Sequence, residues 1–151
     1  MSRFSPRIIA LFVLAGAPGA LAAQAATGPT TPSRAVQEFM QALADSNLTR
    51  MGELFGNAKG PVSHTKPKDW QKKILLMQLF LHGVQARTLG EVPGKNGMQT
   101  VTTVLTNSGC KVTIPVDVAK SSRGWLVFNF DLEAAAKVNQ PCETSKRPGN
   151  Q

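Results

Sequence analysis

The sequence predicts an α+β fold, with helices first and then a four-stranded antiparallel meander. Three observations carry this. Apolar residues recur at a spacing of three and four as far as Leu81. Beyond His82 they alternate with polar residues instead. Turn-forming clusters at Pro93-Gly94-Lys95-Asn96-Gly97, at Asn107-Ser108-Gly109 and across 119–123 cut that second half into four strands.

Taken in order, the chain opens MSRFSPR, with Arg3 and Arg7 and no acid. An apolar run from Ile8 to Leu14 follows, then Gly16, Pro18, Gly19 and a run of small residues to Ala25. A basic head, a short apolar centre and small residues describe a signal peptide over 1–25, cleaved after Ala22 or Ala25. The run is too short for a span, which takes about 20 apolar residues. The remaining chain is then exported, periplasmic or secreted. Residues 26–31 form a leader, and Thr31-Pro32 reads as a cap with proline at the first helical position. Val36, Phe39, Met40 and Leu43 form a half-buried stripe. Asp45-Ser46-Asn47 breaks it, and Leu48, Met51, Leu54 and Phe55 resume it until Gly56. Residues 57–65 read as a loop holding His64. A third helix over 67–81 places Trp70, Ile74, Met77 and Leu81 on one face. Leu75, Leu76, Leu79 and Phe80 widen that face, which predicts a helix buried on most sides.

The strands fall at Val84–Val92, Met98–Thr106, 110–118 and 124–132. Pro115 cannot donate to a ladder and predicts a bulge or an unpaired side. With a five-residue loop at 119–123, Val116 faces Leu126, Ile114 faces Phe128 and Val112 faces Phe130, while Lys111 pairs with Asp131. On that register Leu126, Phe128, Phe130 and Leu132 are core, and Trp125 and Val127 point to the other face. The same register brings Cys110 near the return segment that carries Cys142. These are the two cysteines of the chain, and an even count in an exported protein argues for a disulfide between them. Two free thiols, or pairing between chains, is the alternative. The folded domain spans 32–142, and 143–151 is a flexible tail.

The stretches AVQEFMQALADSNLTRMGELFG and SSRGWLVFNFDLE carry a resemblance. The first resembles the helical start of nuclear transport factor 2-like (cystatin-like) domains, in which a helix, a polar break and a half-helix precede a loop. The other stretch is similar to their last strand. The resemblance covers residues 32–133 and implies a curled sheet wrapped on helices, with a pocket at the open end of a cone. Members include polyketide cyclases, ketosteroid isomerases, dehydratases and exported domains of uncharacterised function.

The enzymes of that superfamily set an acid–base group in an apolar pocket, with a tyrosine or protonated acid polarising a carbonyl. This chain has no tyrosine, which removes the ketosteroid isomerase arrangement. Of the acid–base candidates, Asp69 falls in the first turn of the third helix and His82 at its end, both favourable places for their charge. His64 reads as a solvated loop residue and Asp131 as the partner of Lys111. No catalytic residue is assigned. The cysteines lack CxxC spacing and the chain has few histidines, so neither a metal nor a cofactor is expected.

The formal charge is +8, to which Arg3 and Arg7 of the signal peptide contribute. A surplus of this size suits acidic partners, anionic lipid headgroups or wall polymers, but a soluble, mildly basic surface is the preferred reading and membrane contact is not favoured. Lys66, Lys68, Lys72 and Lys73 gather at the start of the third helix, where an ordinary solvated face is preferred to an anion site. Export makes nucleic acid an unsuitable partner. Trp70 and Met77, with Phe128 and Phe130 toward the wide end of the stripe, are the candidate lining of a small apolar pocket. Trp125 and Val127 are the candidate surface for a protein partner or a second copy. The expected function is an exported, non-catalytic domain that binds a small apolar ligand or an envelope protein. A small lyase or isomerase using the cone is the alternative.

Overall fold

The computed structural model describes residues 28–142 apart from residue 67. The expected signal peptide and the tail at 143–151 lie outside the described residues. The chain is α+β in the order anticipated. Helix α1 (Pro32–Ala44) starts where Thr31 accepts a hydrogen bond from the Arg34 amide, with proline at the first helical position. Asp45-Ser46-Asn47 turns the chain, and Asn47 caps α2 (Leu48–Leu54) by accepting from the Arg50 amide. A small hairpin of β1 (Gly56–Asn57) and β2 (Gly60–Pro61) follows. The segment read as a loop then forms a single turn, α3 (Val62–Thr65), before α4 (Trp70–Leu81). The sheet is β3 (Gln85–Pro93), β4 (Gln99–Asn107), β5 (Cys110–Ser121) and β6 (Gly124–Phe130), antiparallel in the order β3-β4-β5-β6. A last short helix, α5 (Leu132–Ala136), leads into a tight turn over Lys137–Asn139. No helix among the described residues is long and apolar enough to cross a membrane.

The core lies between one face of the sheet and the helices. Phe39 and Leu43 of α1, Met51 and Leu54 of α2, and Ile74 and Leu81 of α4 are fully buried with Val101, Leu105, Ile114, Val116 and Val118 of the sheet. The β4–β5 hairpin closes through Ser108 and Gly109, both at positive φ, as a two-residue turn that matches strand twist requires.

The β5–β6 register differs from the sequence expectation. Strand β5 continues through Ser121, so the connection is the two-residue turn Ser122–Arg123 rather than a five-residue loop. Lys120 faces Trp125, Ala119 faces Leu126 and Val118 faces Val127. A bulge then interrupts the ladder, and pairing resumes with Asp117 opposite Asn129 and Val116 opposite Phe130. Phe128 is the extra residue. One inserted residue reverses the alternation, so Val127 and Phe130 are both buried while Phe128 is 38% exposed. The expected core position of Phe128 and outward position of Val127 are therefore both corrected. Pro115 sits one residue past the last β6 pair, so its missing N–H costs no bond on that side. Lys111 faces Thr106, not Asp131, and Asp131 caps α5 by accepting from the Ala134 amide at 3.0 Å.

Helix α4 is the second departure. Ile74, Met77 and Leu81 are buried as expected, but Leu75, Leu76, Leu79 and Phe80 are exposed. The helix packs on α1, α2 and α5 along one side only. A helix that is apolar all round reads as buried, yet no second layer among the described residues covers its outer side.

Cys110 and Cys142 form a disulfide within the chain, with Cα atoms 5.4 Å apart. At the other end, the leader is tied down: the Gly28 amide donates to Arg123 O at 2.7 Å and the Trp125 amide to Pro29 O at 2.9 Å. Gly124 adopts φ +123°, and a Cβ there would lie 2.7 Å from Pro29 O, so glycine is required where the leader crosses the hairpin.

Candidate functional site

The bulge brings Phe128 to the rim of a cleft of about 290 Å³. Its walls come from four places in the chain: Phe55, Gly56 and Asn57 after α2; Val62 and Thr65 of α3; Lys66, Asp69, Trp70 and Lys73 at the start of α4; and Phe128 and Asn129 of β6. Each wall has a local cause. Phe55 follows the last turn of α2 in extended conformation and forms an isolated parallel bridge with Val127, which fixes α2 against the edge of β6. Its ring packs on Phe39 with centroids 5.9 Å apart. Trp70 lies over Gly52 of α2, where an added Cβ would come within 2.5 Å of the indole. Glycine inside a helix is unfavourable by about 1 kcal/mol relative to alanine, and here it makes room for the indole.

The cleft combines three aromatic rings, Phe55, Trp70 and Phe128, with a polar rim of Asn57, Lys66, Asp69, Lys73 and Asn129. Lys73 Nζ sits 4.7 Å from the centroid of the Phe55 ring, a cation–π distance that holds the ammonium at the wall. Asp69 occupies the N-cap position of α4 but makes no capping hydrogen bond, and it lies exposed at the rim of the cleft. Such a lining can hold a flat apolar body between rings and meet polar groups at the mouth.

Two further cavities are larger and differ in chemistry. One of about 470 Å³ is bounded by Gly28, Pro29, Arg50, Glu53, His64, Arg123 and Leu126 among others. Its charges are largely spoken for. Arg50 bonds Glu53 at 3.0 Å and Glu38 at 2.7 Å, and Glu38 also accepts from Arg34 at 2.8 Å. Partial burial alone would raise the Glu38 carboxyl, but the hydrogen bonds and charges of Arg34 and Arg50 outweigh it and hold it below the usual carboxylate range. Burial would likewise lower Arg50, and its bonds to Glu53 and Glu38 raise it instead. The other cavity, about 530 Å³, lies between α1 and the start of β3 along Gln37, Gln41 and Gly83–Ala86, without an ionisable group or an aromatic ring in its lining.

Of the residues expected to line a pocket, Trp70 and Phe128 reach the cleft and come together there. Met77 and Phe130 do not. Met77 is buried among the helices, and Phe130 packs edge-on against Phe39 with centroids 6.3 Å apart. The expected partner surface is also absent as an exposed face: Val127 is fully buried, and Trp125 is half-buried beside Lys120, whose Nζ lies 5.9 Å from its ring. Phe55 and Lys73 belong to the site although helical spacing alone does not single them out. The Phe55-Gly56 and Gly60-Pro61 pairs are the sequence signal for a hairpin there.

The acid–base candidates are scattered. His64 is exposed and lies 3.4 Å from Arg123, His82 lies 3.3 Å from Ser46 Oγ, and Asp131 caps α5. Only Asp69 borders the cleft. Among the described residues no three His, Cys, Asp or Glu side chains gather to hold a metal ion. Comparison with models of protein families, with curated proteins and with solved structures gave no match.

Proposed function

We propose that this chain is an exported, non-catalytic binding domain of the cell envelope that takes a small apolar ligand in the Phe55–Trp70–Phe128 cleft. The observation that carries the reading is the bulge in β6, which leaves a phenylalanine out of the core and in the lining of the same cleft as Trp70. Bulges recur beside functional sites because they re-aim a side chain. Export is supported by the order of residues 1–25 and by the Cys110–Cys142 disulfide, which persists in oxidising compartments. Helices followed by a four-stranded meander, with an aromatic cleft beside the last strand, agree with a nuclear transport factor 2-like architecture. The lyase or isomerase reading has less support. It asks for an acid–base group in apolar surroundings, and Asp69 is exposed at the rim.

The test uses 1-anilinonaphthalene-8-sulfonate as an apolar probe of about the right size. The expected result is saturable binding that weakens about tenfold in Phe128→Ala and in Trp70→Ala, the loss expected for one aromatic contact of about 1.4 kcal/mol. Binding unchanged in both variants, with both still folded, would exclude the cleft as the site.

A further inference from the structure

The outward side of α4 carries Leu75, Leu76, Leu79 and Phe80, which are 47%, 51%, 75% and 44% exposed. Lys72, Leu75, Leu76 and Leu79 are spaced i, i+3, i+4 and i+7, so they share one face of the helix. Lys73 stands three residues before Leu76 and seven before Phe80, on the flank of the same stripe. The face is therefore apolar along its last two turns and cationic at its N-terminal end, with Lys66 and Lys68 just ahead and Asp69 the one acid among them. Four contiguous large apolar side chains facing water on a chain of this size mark a contact surface rather than scattered exposure.

Charge decides what that surface meets. A second copy packed with its α4 parallel would bring two lysine clusters together, each offset only by Asp69, and like charges there oppose association, so only an antiparallel copy could compete for the face. A layer of anionic headgroups complements the same cluster, and lysine stems can lie along the apolar stripe while their ammonium groups reach phosphate. We propose that the outward face of α4 docks on an anionic lipid bilayer. Leu75, Leu76, Leu79 and Phe80 enter the boundary between headgroups and acyl chains, and Lys72 engages the lipid phosphates. This docking does not depend on a ligand occupying the cleft.

Co-sedimentation of the full chain with phosphatidylcholine vesicles, with and without about 30% phosphatidylglycerol, tests it. The expected result is binding at least about tenfold tighter to the anionic vesicles, weakened about tenfold by Lys72→Glu and lost in Leu75→Ser/Leu79→Ser. These positions are exposed, so circular dichroism and thermal midpoints should match the parent chain. Equal binding by parent and variants overturns the proposal and would place any membrane affinity elsewhere, including the apolar residues 8–14. Failure of the parent chain to bind anionic vesicles overturns it as well. So does a dimer in light scattering that the Leu75→Ser/Leu79→Ser variant converts to monomer, because the face would then belong to a second copy.

Discussion

Val127 and Phe128 are chain neighbours that the bulge sends to different destinations. Val127 pairs with Val118 and is fully enclosed by the core, whereas Phe128 has no partner in the ladder and lines the cleft with Trp70. Chemical size would suggest that the larger side chain matters more to folding. Burial reverses that order. Val127→Ala removes two methyl equivalents from a site with no room to collapse and should cost about 2 kcal/mol. Phe128→Ala gives up a ring already in contact with water and should cost about 1 kcal/mol or less. Urea midpoints of the two variants check this. A larger loss for Phe128→Ala would return the strand to an unbulged register and would close the cleft.

Among the elements, those with a local cause were legible in the sequence. Thr31-Pro32 starts α1, Asn47 caps α2, and the stripe of Val36, Phe39, Met40 and Leu43 is buried in α1 as its spacing requires. Asn107-Ser108-Gly109 marks the β4–β5 hairpin. What could not be read was set by tertiary choices. An alternating pattern fixes strand facing only if the ladder is continuous, and one bulge at Phe128 moves half of β6 to the other face. Apolar residues around all of α4 likewise record what the helix is made of, not how many sides have neighbours. The cleft was half legible for the same reason, since Trp70 and Phe128 are conspicuous aromatics, but Phe55 joins them only through its bridge to Val127 and Lys73 only through its place over the Phe55 ring. The α1–α2 contact supplies an element-scale prediction. Glu38 of α1 is held below its ordinary pKa by Arg34 and by Arg50 of α2. Its folded pKa being the lower, the stabilisation is complete above the unfolded value of about 4.3 and is lost as pH falls through the folded value. Glu38→Gln should therefore be less stable than the parent at about pH 6, with the gap closing at about pH 2–3. Thermal midpoints across that range are the measurement, and a gap that persists in acid would assign the contribution of Glu38 to packing instead of charge.

At the scale of the whole molecule, the four-stranded sheet is closed at one end by the segment before α1 and at the other by the segment after α5. The leader at Gly28 and Pro29 crosses the β5–β6 turn, and the C-terminal segment returns to the start of β5. That return does more than join two cysteines. Asn107 donates to Asn139 Oδ1 at 2.6 Å, Asn139 donates to the Phe80 carbonyl at the end of α4, and Val138 is buried beneath the turn. The disulfide thus encloses a stretch with a sequence separation of 32 that contains β5, β6 and α5. If a crosslink acts chiefly by restricting the unfolded chain, loop-closure entropy for a stretch of that length corresponds to about 3–4 kcal/mol. Domains of this size have net stabilities of only about 5–15 kcal/mol, so removing the bridge should consume a large part of the reserve without changing the native topology. Cys110→Ser/Cys142→Ser should fold, unfold at a markedly lower urea midpoint, and exchange the amides of residues 132–142 faster than those of β4. Equal midpoints for the parent and the double variant would mean that Val138 and the Asn107–Asn139–Phe80 bonds hold the return segment unaided.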